Sequence, residues 1–131
     1  MRTLMSLCII LMAVLGLSTD ATAQDWTFIG DKTVNYGVDR DVLHLGDFRD
    51  DFRQIKLRVT DAPLRFFDMK IHFDNGDVQD VELRAVIPQG GESRVIDLVG
   101  GIRHIQKIEF WYKPGAKGRK GQSRVAVWGR K

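Results

Sequence analysis

Histidine is the side chain that most often supplies general-base chemistry or zinc ligation near neutral pH. The sequence contains three, His44, His72 and His104, and they fall in three separate stretches of alternating residues. No His-x-His, His-Glu-x-x-His or cysteine pair supplies the spacing of a metal site. We therefore predict no catalytic residue, no metal ligand and no cofactor-binding residue.

Carboxylates offer a second kind of chemistry, in three acidic clusters: Asp39 with Asp41, Asp47 with Asp50 and Asp51, and Asp74 with Asp77. Calcium binds six to eight such oxygens. Arginines interrupt or flank the first two clusters, however, and turn formation explains the third. We favour structural ion pairing, with calcium as the alternative. A glycoside hydrolase needs two carboxylates about 5 to 10 Å apart in a cleft, and the sequence selects no such pair.

The residues from 113 to 131 include seven basic side chains and no acid. The candidate anion-binding residues in this segment are Lys113, Lys117, Arg119, Lys120 and Arg124. A basic segment attracts anions within a Debye length of about 8 Å at physiological salt. An anionic lipid or glycan is the expected ligand, and nucleic acid is not expected. The alternative is a solvated loop that only aids solubility.

Two aromatic residues are candidates for surface contacts. Strict alternation places Phe66 and Trp111 on the face opposite the apolar residues of their own strands. Exposed aromatic rings serve sugar stacking and protein interfaces. The alternative is that a covering strand or loop buries both rings.

These residues must be positioned by strands, because apolar side chains recur at every second position and helical spacing is almost absent. We predict eight strands, near residues 25–30, 41–46, 52–60, 64–73, 78–87, 93–99, 104–113 and 123–129. Each presents one apolar and one polar face, so two sheets must pack together. The predicted fold is an all-β antiparallel sandwich of about eight short strands.

The hairpin around Asn75-Gly76 illustrates how the register is constrained. A two-residue turn would place Asp80 and Glu82 on the core face, so the loop must contain an odd number of residues. A loop of residues 74–76 with a left-handed Gly76 pairs Met69 with Val81. A loop of residues 75–77 keeps the same apolar face, and the sequence does not choose between the two.

The beginning of the sequence is typical of a signal peptide. Arg2 precedes an apolar run from Leu4 to Leu17, and Ala21-Thr22-Ala23 is a cleavage motif. We expect residues 1–23 to be removed, which leaves residues 24–131 as one domain without cysteine and without a transmembrane segment. The expected location is the periplasm or the medium.

Strand and turn patterns along nearly the whole mature chain carry a family resemblance. They include Ile55-Lys56-Leu57-Arg58-Val59, Gly90-Gly91, Ile108-Glu109-Phe110-Trp111-Tyr112 and Val127-Trp128-Gly129. In these patterns the chain resembles short exported bacterial proteins grouped only as a domain of unknown function. The resemblance implies a small β-rich envelope domain and assigns no site residue.

These observations favour a non-catalytic binding or accessory module of the bacterial cell envelope. Its expected ligands are anionic envelope components, and an envelope protein that pairs with an exposed sheet edge is a further candidate partner. The alternative is a carbohydrate-binding domain or a small carbohydrate-active hydrolase. A concave site that joins aromatic rings to a carboxylate or histidine would favour the hydrolase.

Overall fold

The computed structural model describes residues 26–35, 39–46, 51–115 and 122–131, and these residues contain no helix. They form nine strands: β1 (Thr27–Asn35), β2 (Arg40–His44), β3 (Gln54–Thr60), β4 (Leu64–Phe73), β5 (Val78–Val81), β6 (Ala85–Ile87), β7 (Ile96–Asp97), β8 (Ile105–Pro114) and β9 (Gln122–Arg130). The prediction of an all-β protein is confirmed. The stretch predicted as one strand over 78–87 is divided into β5 and β6.

The strands form two antiparallel sheets that pack as a sandwich, as predicted. One sheet has four strands in the order β1-β9-β3-β7. The other has the order β2-β8-β4-β5, and β6 also pairs with β4. Strands that follow one another in the chain, such as β1 and β2, lie in different sheets. Segments that are distant in sequence therefore pair within each sheet and enclose the core.

The core is built by the alternation seen in the sequence. Ile55, Leu57 and Val59 are fully buried in β3, while Lys56 and Arg58 point to the outer face. Burying each such aliphatic side chain contributes roughly 1.5 to 3 kcal/mol. The apolar faces are thus used between the sheets, and the two outer faces remain for polar and aromatic side chains.

Tyr112 links the two sheets at one end of the sandwich. Its ring is fully buried, and its hydroxyl lies 3.1 Å from Asp41 Oδ2 and 3.3 Å from the Asn35 carbonyl oxygen. Burial and the neighbouring Asp41 carboxylate raise the pKa of Tyr112 well above its ordinary value. Lys32 completes the cluster with an ion pair to Asp41 of 3.6 Å. These contacts tie β1, β2 and β8 together.

The β4–β5 hairpin has a loop of residues 74–76. Met69 pairs with Val81, and Gly76 is left-handed with φ of 97°. The first of the two loop alternatives is therefore correct, and the loop of residues 75–77 is wrong. Arg103 holds the turn by donating to Asn75 Oδ1 at 3.1 Å and Asp77 Oδ2 at 3.0 Å. A hydrogen bond from Asn75 lowers the pKa of Asp77, and a hydrogen bond from Arg103 adds a smaller effect in the same direction.

Candidate functional site

A bulge in β4 is the main irregularity of the five-stranded sheet. Phe66 pairs with Tyr112 of β8 and Met69 with Phe110, so the register shifts between them. Phe66 and Met69 both point into the core, which leaves Phe67 and Asp68 together on the outside. Bulges of this kind re-aim side chains and are frequent beside functional sites.

On the side of β4 opposite β8, the pairing with β5 and β6 is interrupted at the level of the bulge. β5 ends at Val81 and β6 begins at Ala85, and between them Arg84 has a left-handed φ of 37°. A residue other than glycine costs about 1 kcal/mol or more in that region. The break is supported because the Arg84 amide donates to the Phe67 carbonyl at 3.1 Å. Strain held in place by its neighbours is common at binding sites.

The Arg94 guanidinium compensates the carbonyl groups freed by this break. It donates to the Glu82 carbonyl at 3.2 Å and to the Leu83 carbonyl at 3.4 Å. Leu83 remains buried in the core while Glu82 stays exposed. The interruption between β5 and β6 is thus stabilised from a separate segment of the chain.

Two adjoining depressions follow from the bulge, with volumes of about 350 and 560 Å³. They share Phe67 and Asp68, and Trp111 lines the larger one. We call the two together the bulge groove. Its charged lining residues are three cations and three carboxylates: Arg65, Lys70, Arg84, Asp68, Asp80 and Glu82.

The charges of the bulge groove are largely paired with one another. Lys70 lies 3.0 Å from Asp80, and Arg84 lies 3.5 Å from Glu82. The side chains of Asp80 and Glu82 are about three-quarters exposed, at 75% and 76%. The groove therefore combines cations and carboxylates in equal number with two aromatic rings, and its charged lining residues sum to no net charge.

A second surface of mixed aromatic and cationic residues lies on the outer face of the four-stranded sheet. Lys56 Nζ lies 4.4 Å and Arg130 Cζ 4.5 Å from the centre of the Trp26 ring. Trp128 makes an edge contact with Phe28, their ring centres 5.4 Å apart. We call these five residues the Trp26 platform.

The candidate anion-binding residues are distributed over more than one surface. Lys113 is exposed on β8, directly opposite Arg65 of β4. Arg124 lies on the other sheet, where it forms an ion pair with Asp31. The other three candidates, Lys117, Arg119 and Lys120, lie outside the described residues. Anion binding by the basic segment stays a prediction.

The aromatic candidates have different outcomes. Phe66 is fully buried and its ring contacts Phe110 at 5.9 Å, so the prediction of a surface contact through Phe66 is wrong. The bulge is the reason, because it puts Phe67 outside instead, with 37% of its surface exposed. Trp111 lies on the outer face as alternation indicated, and Arg40 lies over its ring at 5.9 Å.

The histidines are dispersed among the described residues. His44 is exposed, His104 lies 3.4 Å from Asp51, and His72 lies 3.3 Å from Glu109. Among residues 26–35, 39–46, 51–115 and 122–131, no group of three potential metal ligands comes together. The His72–Glu109 contact belongs to an ion-pair cluster with Arg40 on the outer face of β8 and β2.

Several residues of both surfaces were not identified from the sequence. Strict alternation, which puts Phe66 outside, puts its neighbour Phe67 in the core, because it takes no account of the bulge. Lys56, Trp128 and Arg130 do occupy polar positions of alternating strands. This alternation marks the three residues as outward-facing. It does not show that they lie beside Trp26, because that proximity depends on the pairing of β9 with both β1 and β3.

Comparison with known proteins identifies the family. A family model described as Domain of unknown function (DUF2541) matches residues 6–129. The chain belongs to this family. The predicted resemblance to a family without an assigned function is thereby confirmed. No curated protein matches the sequence.

A chain of known structure is similar to this protein in fold. A chain of AlgX from Pseudomonas aeruginosa aligns with a TM-score of 0.56 and 14% identity over 80% of this chain. The match covers 26% of the AlgX chain, so the present sequence spans about a quarter of that protein. A chain of infectious bursal disease virus, Gx strain, aligns over 80% of this chain and 31% of its own length, with 10% identity and a TM-score of 0.36. The AlgX likeness supports the sandwich architecture alone.

The described residues contain no helix of the length and apolar character needed to span a membrane.

Proposed function

We propose that this protein is a non-catalytic binding module of the bacterial cell envelope, and that it holds a neutral glycan in the bulge groove. The proposal depends chiefly on one observation. The β4 bulge brings Phe67 to the outer face, where it lines the same depression as Trp111. Two rings from neighbouring strands thus share a groove of about 560 Å³, within the usual range for ligand sites.

The chemistry of the lining fits a sugar chain. The apolar faces of pyranose rings pack on aromatic side chains. Carboxylates accept hydrogen bonds from sugar hydroxyls, while lysine and arginine donate to them. Because the six charges of the bulge groove balance, a neutral ligand leaves no charge uncompensated. The adjoining smaller depression allows a chain of more than one sugar to lie across the bulge.

A binding role is favoured over hydrolysis by the carboxylates themselves. Two of the three carboxylates of the groove, Asp80 and Glu82, are exposed and each is paired with a cation. The third, Asp68, is also exposed. A glycosidase instead places two carboxylates on either side of one bond, with the acid in an environment that holds its proton. The proposed envelope location rests on the signal-peptide pattern of residues 1–23, and it makes envelope glycan the available ligand.

A glycan array followed by calorimetry with the best neutral oligosaccharide tests the proposal. Trp111→Ala and Phe67→Ala should each weaken binding by about two- to tenfold, which corresponds to the loss of one aromatic contact. Phe28→Ala is the matched control, because Phe28 is 44% exposed on the opposite face of the sandwich. It should leave the affinity unchanged.

Two results would contradict this function. Binding that is equal in the native protein and in folded Trp111→Ala would remove the bulge groove as the site. Release of new reducing ends from the bound oligosaccharide would show that the protein is a hydrolase.

A further inference from the structure

Two cations on the outer face of the four-stranded sheet, Lys56 and Arg58, form ion pairs with the carboxylate of Glu92. Glu92 Oε1 lies 3.0 Å from Lys56 Nζ, and Glu92 Oε2 lies 3.5 Å from Arg58 Nη1. Both carboxylate oxygens are therefore engaged, each by a different cation. Lys56 is the more buried of the two cations, with 16% of its side chain exposed.

The position of Glu92 is fixed by its backbone. The amide of Ser93 donates to the Leu57 carbonyl at 2.8 Å, and the Val59 amide donates to the Gly91 carbonyl at 3.0 Å. The Ser93 hydroxyl accepts from the Leu57 amide at 2.9 Å. The segment before and after Glu92 is thus fastened to β3, and the carboxylate is presented directly above Lys56 and Arg58.

The carboxylate sits at the wall of a cavity of about 220 Å³, lined by Trp26, Lys56, Arg58, Glu92 and Trp128. Arg130 also lies over the Trp26 ring. The two cations of the lining, Lys56 and Arg58, exceed its single carboxylate by one charge, and Arg130 beside the Trp26 ring adds another positive charge. Glu92 therefore neutralises part of a site whose remaining charge attracts anions.

We propose that this cavity binds the carboxylate of an acidic sugar residue, and that Glu92 is an internal carboxylate which occupies the same cations when no ligand is present. The Glu92 contacts show that Lys56 and Arg58 are spaced to hold one carboxylate between them. The indole rings of Trp26 and Trp128 supply the apolar walls that a sugar ring requires. The volume accommodates one such residue. This site faces away from the bulge groove and is independent of it.

The test is calorimetric titration of the native protein with trigalacturonate, with fully methyl-esterified trigalacturonate as the uncharged ligand. Only the acidic form should bind in this cavity, and any binding of the uncharged form in the bulge groove should weaken in Trp111→Ala but not in Lys56→Gln. Glu92→Gln removes the internal charge while it keeps the shape of the side chain. It should tighten binding by between about twofold and about thirtyfold, which corresponds to two exposed ion pairs of ordinary strength. Lys56→Gln should weaken binding by about tenfold or more.

Matched controls separate this site from general attraction by a basic surface. Lys107→Gln removes a cation of the five-stranded sheet that lines neither the cavity nor the bulge groove, and it should leave binding unchanged. Trp111→Ala, in the bulge groove, should also have no effect. Arg58→Gln replaces Lys56→Gln if the latter does not fold.

Several outcomes would overturn the inference. One is binding of the esterified ligand that Lys56→Gln weakens as much as it weakens binding of the acidic ligand. Another is unchanged or weaker binding by folded Glu92→Gln. Displacement of trigalacturonate by inorganic phosphate as effectively as by free galacturonate would show a general anion site in place of a sugar-acid site.

Discussion

Replacing Gly129 by alanine is expected to destabilise the fold, and the structure gives the size of the effect. A Cβ atom at Gly129 would lie 2.7 Å from two atoms of the Phe52 ring. Carbon atoms in contact are ordinarily about 3.5 to 4.0 Å apart, so the ring would have to move by about 1 Å. Phe52 is only 3% exposed, and backbone hydrogen bonds of 2.9 and 2.7 Å with Arg103 hold its main chain.

The ring therefore cannot withdraw freely, and overpacking of this kind costs about 1 to 3 kcal/mol. The melting temperature should fall by about 4 °C or more. Urea unfolding followed by tryptophan fluorescence measures the change in the free energy of unfolding. Gly46→Ala is the control, because its new Cβ would meet its nearest atoms at 3.8 Å. Its stability should change by no more than about 0.5 kcal/mol.

A double substitution isolates the cause. Phe52→Leu removes ring atoms, so Gly129→Ala should cost less in that background than in the native protein. If Gly129→Ala is as stable as the native protein, or if its cost is the same in both backgrounds, the close approach of Gly129 to Phe52 does not limit this position.

Three further expectations concern titration and processing. Because the pKa of Tyr112 is raised, the folded protein keeps a proton that the unfolded chain releases above pH 10.0. The free energy of unfolding should therefore fall as the pH rises above 10.0. Urea midpoints of Tyr112→Phe should decline less between pH 9 and 11, and parallel declines would refute this. Burial works to raise the pKa of Glu109, but hydrogen bonds from Arg40 and His72 outweigh it and lower the pKa below 4.5. The contribution of Glu109 to stability is therefore complete above that pH and is lost below it, and Glu109→Gln should show a weaker acid dependence of its urea midpoint. An equal dependence would contradict the role of the ion pair. Mass spectrometry of protein produced in a bacterial host should find Gln24 at the N-terminus, and a chain that retains Met1 would reject the processing site.

Much of the architecture could be predicted because strand alternation is a local property. Ile55, Leu57 and Val59 alternate with polar residues, and the structure buries all three. The requirement that Asp80 and Glu82 stay off the core face limited the hairpin loop to an odd number of residues. The hydrophobic pattern alone was sufficient to identify two facing sheets.

The candidate surfaces could not be predicted in the same way, because they depend on pairing between distant strands. Phe66 and Phe67 are adjacent and chemically identical, and only the shift in register against β8 decides which one is buried. Trp26 meets Lys56 and Arg130 because β9 lies between β1 and β3. Neither arrangement has a signature within a short window of sequence.

The position of β9 also governs when the fold can form. In the four-stranded sheet, β9 is the only described partner of β1. It also pairs with β3 along the whole length of that strand. Yet β9 follows every other described strand in the chain. Residues 27–35 therefore gain β9, their hydrogen-bonded neighbour among the described residues, only after residues 122–130 have been synthesised. A nascent chain therefore carries an incomplete sheet throughout its elongation. Such delayed closure slows folding, and it leaves time for a chaperone to engage the chain while it is still extended.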